Sequence, residues 1–379
     1  MNRTEVTKAI AALLFGYALA SPAWAQEEQK PEAAAPAPKV SDIVGYDKGF
    51  YIQSADGKFK LVTGGYIQGA FNGQIAESGS ETDTFRIRRA RLKWYGHLFS
   101  KNVQYQAEYD FSSSKNLSTY LQLVHSDPFK VRVGQWKVPF NLEGIASGSV
   151  QQFVDRSIAH SFFGVPDERE IGFGFNGTLM DKWLEYEVAA MNGEGINTLN
   201  QNNEFRYVGR LVANLKGHHG LEFCDTKNSD EPNVAFAVAG MYNDTLDPST
   251  GTPPTDEMKV TSITADLSAK FRGFGAHGAF YYMNTKPDAG GSTHDKGFLA
   301  QGGYFVMPEK LELGARIARV FVDGGGDTGE YTLGLNYYMF KAHHVKFQFD
   351  YSALTTEDGV AAGDDRLDHR VRAQLQVKI

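Results

Sequence analysis

The chain has 379 residues, 42% hydrophobic and 13% aromatic, with 38 Lys and Arg against 45 Asp and Glu and a single Cys. One cysteine excludes an intramolecular disulfide framework and a cysteine-rich zinc or iron–sulfur centre, and a net charge of −7 argues against nucleic acid as a partner. Beyond residue 25 no apolar run approaches the ~18–20 residues of a spanning helix. A spanning β-strand needs only about ten residues with alternate ones apolar, so that class of membrane protein remains.

In chain order, Arg3 and Lys8 precede an apolar stretch from Ala9 to Ala20, and Ala23-Trp24-Ala25 follows. This is the pattern of a secretory signal peptide over residues 1–25, with a short buried helix as the alternative. Cleavage there removes Arg3, Glu5 and Lys8 and takes the net charge from −7 to about −8. Residues 26–45 hold the Pro-Ala run Ala33 to Pro38 and read as an extended periplasmic linker. Residues 46–379 read as one domain.

That domain alternates. From Arg370 to Ile379, Val371, Ala373, Leu375, Val377 and Ile379 are apolar and the residues between them polar. Val103 to Phe111 and Ile263 to Arg272 repeat the pattern. Period two over ten residues is a strand with one apolar and one wet face. Sixteen such segments are predicted, near 58–75, 84–99, 103–111, 116–125, 129–138, 170–179, 184–192, 205–215, 233–243, 258–272, 274–284, 296–306, 311–322, 328–340, 344–354 and 366–379. Tight turns alternate with mostly longer connections rich in Gly, Asp, Asn and Thr. The predicted fold is therefore all-β, a transmembrane up-and-down antiparallel β-barrel with both ends on the periplasmic rim and an aqueous lumen. Two connections fit poorly, the short one at 112–115 and the long one at 216–232. A soluble secreted β-rich binding protein or enzyme is the alternative.

The second segment carries the richest chemistry. Ala90, Leu92, Trp94 and Leu98 share one phase and Arg89, Arg91 and Lys93 the other, while Phe85 and Ile87 are out of phase, which implies a bulge near Arg88 and Arg89. Arg86, Arg88, Arg89, Arg91 and Lys93 then line the lumen, because a charge facing lipid costs ~2–4 kcal/mol at the bilayer midplane. The guanidinium fork matches phosphate or carboxylate, so one reading is an anion track. The other is a transverse field, with these arginines paired to carboxylates such as Glu108 and Asp110. Lys130, Arg132, Arg206, Arg210, Arg370, Arg372 and Lys378 are further inward bases, opposed by Glu185, Glu187, Asp266, Glu312 and Asp350. Loop 139–169, with Asp155, Arg156, Asp167, Glu168, Arg169 and Glu170, is the candidate to fold inward.

Other motifs fail on context. Gly172-Phe-Gly174-Phe-Asn-Gly177 lies within a strand and opens no helix. Asp323 to Asp327 reads as a surface loop, and the pairs His218-His219 and His343-His344 point to opposite strand faces. No set for hydrolysis converges, so no enzyme activity, cofactor or metal is expected. Cys224 reads as a lone thiol, and Tyr281-Tyr282 and Tyr337-Tyr338 as interfacial aromatics or ordinary packing.

Phe50 to Gly65, Phe85 to Leu92, Tyr109-Asp110-Phe111, Val131 to Phe140, Asp155-Arg156-Ser157, Met191-Asn192-Gly193, Val208 to Leu211, Gly302-Gly303-Tyr304, Leu333 to Tyr338 and the terminal strand occur in that order. In this set the chain resembles the phosphate- and polyphosphate-selective porins of Gram-negative outer membranes. The resemblance implies a sixteen-stranded homotrimeric channel set in outer-membrane lipid, passing phosphate or other small anions along lumenal arginines. Arg86, Arg88, Arg89 and Arg91 match by motif, Arg210 less directly, and Lys137 is a candidate for the family's lysines. With Lys93, Arg132 and Arg206 from the inward pattern, these form the candidate pore-lining set. Ile379 stands where a terminal Phe is common, and a general, weakly selective porin remains the second reading.

Overall fold

The computed structural model describes residues 43–77, 79–246, 257–340, 342–357 and 365–379. The expected signal peptide and the expected linker as far as residue 42 lie outside the described residues. Two short strands, β1 (Val44–Tyr46) and β2 (Phe50–Gln53), form a hairpin. Sixteen longer strands follow: β3 (Lys60–Ile75), β4 (Glu81–His97), β5 (Val103–Asp110), β6 (Lys115–Ser126), β7 (Phe129–Lys137), β8 (Arg169–Leu179), β9 (Leu184–Met191) and β10 (Arg206–Lys216) in the first half. The second half is β11 (Asn233–Leu246), β12 (Glu257–Phe271), β13 (Phe274–Pro287), β14 (Thr293–Met307), β15 (Leu311–Phe321), β16 (Asp327–Tyr338), β17 (Val345–Glu357) and β18 (Arg366–Lys378). Each pairs antiparallel with the next, and β18 pairs with β3 from Lys378 opposite Tyr66 to His369 opposite Ile75, which closes the barrel. β2 continues along the same edge of β3, so the hairpin sits directly beyond the chain end, where Ile379 and Gly65 exchange backbone hydrogen bonds.

The apolar phase faces out. Ile263, Leu267, Leu375 and Val377 are exposed, while Thr264, Asp266, Gln374 and Gln376 between them are buried. Closure leaves backbone polar groups paired without water, the condition for lying in hydrocarbon. The predicted bulge is present: the β3–β4 register slips between Gln68 and Gly69, and Arg88 has no opposite residue.

The loop expected to fold inward does so. Residues 138–168 enter the lumen, with helix α1 (Leu142–Ile145), a 3-10 turn (Gly148–Val150) and helix α2 (Ile158–Phe163). Ser157 caps α2 by accepting from His160 N at 3.1 Å. Phe140, Ala159, Phe163 and Val165 fill an apolar patch on the inner wall with Met191, Val208, Met241, Leu299 and Val320. Phe163 stacks on Tyr281 at 5.2 Å beside Gly297, where a Cβ would lie 2.4 Å from the Phe163 ring. The backbone of residues 148–158 is held by inward polar side chains: Asp350 accepts from Val154 N, Glu330 accepts from Ile158 N, and Lys346 donates to Gln151 O, each at 2.9 Å. Inward polar residues of the second half therefore meet a protein segment rather than water.

A second connection also folds in. Residues 217–232, the long turn that fitted poorly, bury Phe223 and Cys224 against Leu142, Ala146, Val150, Phe305 and Tyr338. Asp225 secures the turn by accepting from Ser229 N and Gly273 N. Tyr281 and Tyr338 consequently point into the barrel and are buried, whereas Tyr337 alone of those two tyrosine pairs is strongly exposed on the outside. The two inward segments pack against the inner face of β10–β17, and a cavity remains along β3–β9.

Candidate functional site

Two of the cavities that border the inward loop gather the basic residues of β4 and β18. One of about 590 Å³ lies toward the rim that carries the chain ends, lined by Tyr66, Arg91, Lys93, Tyr95, Arg132, Trp136, Lys378 and the turn residues Leu221 and Glu222. The other, about 430 Å³, lies on the far side of the loop and is lined by Arg88, Asp155, Arg156, His160, Glu168, Arg370 and Arg372. Strand register explains the first. Lys378 lies opposite Tyr66, and Tyr66 opposite Arg91, which puts two bases in one cross-strand row, with Lys93 two residues further along β4 opposite Gly64.

The bases divide by partner. Asp155, at the tip of the loop, receives Arg88 at 2.7 Å, Arg86 and Arg89 at 3.4 Å and Arg372 at 3.9 Å. Arg372 also pairs with Asp350 at 2.6 Å. Around this hub six guanidinium groups (Arg86, Arg88, Arg89, Arg316, Arg370 and Arg372) face four carboxylates (Glu143, Asp155, Glu330 and Asp350), leaving two positive charges in excess. Burial opposes ionisation of Asp155, but Arg89, Arg88 and Arg372 outweigh it and hold the carboxyl well below the usual range.

Arg91 bridges to Asp110 at 2.8 Å, as the transverse-field reading expects. Arg132 pairs with Glu187 at 2.9 Å and lies over the rings of Tyr120 and Trp136. Lys93 and Lys378 make no ion pair among the described residues; Lys93 Nζ rests 4.7 Å from the centre of the Tyr95 ring.

Four of the expected pore-lining residues are tied into fixed contacts, three of them buried and Lys137 half-buried on the wall of the cavity of about 590 Å³. Lys137 donates to Gly144 O at 2.7 Å and Ala146 O at 2.6 Å and pairs with Glu168 at 3.1 Å, pinning the loop. Arg206 pairs with Glu170 at 2.6 Å beneath the β9–β10 connection. Arg210 pairs with Asp266 at 2.8 Å and donates to Phe140 O at 2.8 Å. Arg89, 2% exposed, also donates to Gln68. For Lys137, Arg210 and Arg89 the inward loop meets the wall there and takes the donors, whereas Arg206 is held by Glu170 of β8 and by Gly193 O in the β9–β10 connection. Arg370 and Lys378, inward in the sequence pattern but outside the expected set, reach the cavities.

Glu168 is a second hub, beside Arg156 at 2.6 Å and Lys137 at 3.1 Å; burial opposes its charge, and Arg156, Lys137 and Arg169 depress its pKa regardless. Burial and Arg156 push the adjacent His160 down to about 4, and its Nδ1–H donates to Asn141 Oδ1 at 3.0 Å. Among the described residues no group of His, Cys, Asp and Glu could hold a metal ion.

A model of the family described as phosphate-selective porin O and P matches residues 61–379. The search of the curated proteins returns no match. Among solved structures, the anion-selective porin from Comamonas acidovorans superposes with a TM-score of 0.59 at 12% identity, covering 84% of this chain and 99% of that one. The outer membrane channel DcaP of Acinetobacter baumannii gives 0.62 at 12%, covering 86% and 99%. OmpT of Vibrio cholerae in its trimer form gives 0.56 at 11%, covering 83% and 99%. At these identities the likeness is one of fold.

Proposed function

The chain belongs to the phosphate-selective porin O and P family and is an outer-membrane porin channel, and on that premise we propose that it passes small anions, phosphate among them, in preference to cations. The observation that supports this reading is Lys93 and Lys378, two ammonium groups that make no ion pair among the described residues and stand beside Arg91 on the cavity wall, with Glu108 opposite Lys93 and Glu222 also in the lining. Fixed charge of one sign on a narrow water path raises the local concentration of the opposite ion. An anion travelling inward meets Arg86, Arg88 and Arg370 first, then Arg91, then Lys93, Arg132 and Lys378. Lys137, Arg206 and Arg210 shape the path by holding the loops. The anion-selective porin of Comamonas acidovorans, with the same fold, lends support.

A general porin is the second reading, favoured by the carboxylate partner found at Arg86, Arg88, Arg91 and Arg132. Purified protein in a planar bilayer separates the two. The reversal potential in a KCl gradient is expected to favour chloride, and inorganic phosphate to block chloride current saturably. Lys93→Gln with Lys378→Gln is expected to lower the chloride-to-potassium permeability ratio several-fold. An unaltered ratio removes the lysines from the account, and ohmic, unselective conductance in the parent supports the general porin.

A further inference from the structure

We propose that Asp155 is a built-in competitor for the solute: its carboxylate occupies an anion site formed by Arg88 and Arg372, with Arg370 beside them on the cavity wall, and a permeating anion enters by exchanging with it. The inference rests on the anion-channel reading and specifies how that channel is regulated from within.

Three observations carry it. Asp155 sits on the inward loop, yet it accepts from Arg88 of β4 and lies 3.9 Å from Arg372 of β18, strands that lie on either side of β3. A carboxylate presents to a guanidinium fork the same pair of oxygens that phosphate does. The site is also under-filled. Arg372, 2% exposed, has Nη2 without a hydrogen-bond acceptor among the described residues, and so has Nε of Arg370, whose Nη2 stands 3.6 Å from Glu330. Buried donors of this kind are normally satisfied, so these two arginines can take a further acceptor. Finally, the cavity of about 430 Å³ opens onto these same groups, so an ion arriving there meets Arg88, Arg370 and Arg372 directly.

The arrangement answers a requirement of conduction. A site that attracts an ion must also release it, and a cluster with excess positive charge and no competitor would hold phosphate too long. A tethered carboxylate returns to the arginines as the solute moves on, which shortens the residence of the solute. Asp155 in this account determines affinity rather than merely fixing the loop.

The test is block of chloride current by inorganic phosphate in planar bilayers, on full-length channels whose assembly is verified by heat-modifiable migration. Asp155→Asn keeps the side-chain shape and removes the charge. It is expected to lower the half-blocking phosphate concentration by about tenfold (about 1.4 kcal/mol) and to lengthen each block. Asp155→Glu, which keeps the charge, is expected to stay within about threefold of the parent. If the Asn variant blocks at the parental concentration or a higher one, or if Asn and Glu behave alike, the competitor role is wrong and Asp155 only tethers the loop. Should the Asn variant not assemble, Asp155→Ser removes the same charge and is read the same way. Absence of phosphate block in the parent itself refutes the anion-channel reading instead.

Discussion

At the scale of single residues, the lumen is built from one-to-several pairings. Asp155 and Glu168 each serve more bases than they can neutralise, whereas Arg206 with Glu170 and Arg210 with Asp266 are isolated buried pairs. Removing one member of such a pair strands the other. Arg210→Met is expected to destabilise the folded barrel by roughly 3–5 kcal/mol, measured as a lower temperature of heat modification, because Asp266 is left buried and unpaired. His160 gives a pH prediction. Its pKa in the folded chain is about 4, against 6.5 for the free side chain, so the fold favours the neutral ring. The stabilisation is complete above pH 6.5 and drains away as pH falls toward 4, where the unfolded or detached loop takes up the proton first. Current noise from the loop is expected to rise over that window, and His160→Gln to flatten the rise.

Among elements, the strands were legible and the inward segments only partly so. Lipid outside forces strict alternation, which is why Val371 to Ile379 or Ile263 to Phe271 read unambiguously from sequence. The same alternation says that Asp350, Gln348 and Lys346 face in, but not what they face: a polar side chain on the inner phase looks the same whether it meets water or the backbone of residues 148–158. For this reason Arg206 and Arg210 read as pore-lining and prove to be anchors. The hub at Asp155 was equally hidden, since its partners come from strands far away in the chain. The turn 217–232 looked like a misfit on the short-turn rim because its role is to bury Phe223 and Cys224. Replacing residues 219–229 by a two-residue turn is expected to widen the exit beside Glu222 and raise single-channel conductance, with less change in selectivity. A conductance equal to that of the parent would mean that the turn lies outside the path.

For the whole molecule, strand length varies around the wall. β5 and β9 have 8 residues and β7 has 9, against 14 or 15 in β11 to β14. A low stretch of wall exposes less height to lipid, and three copies meeting along it would shield it further. We expect a homotrimer that meets along this low stretch; chemical cross-linking in mild detergent should give a threefold mass that collapses to monomer on heating. Monomer alone in detergent and in native membranes would count against it.

The off-centre filling of the lumen has an electrical consequence. With much of β10–β17 covered by the inward segments, Arg91, Lys93 and Lys378 stand together on one wall of the remaining cavity. The field across the path is therefore polarised, and it exerts a torque on whatever passes. An elongated solute with its charge at one end turns that end to the β18–β3–β4 wall and travels in a single pose. Two solutes of equal charge and size are then sorted by the direction of their dipoles.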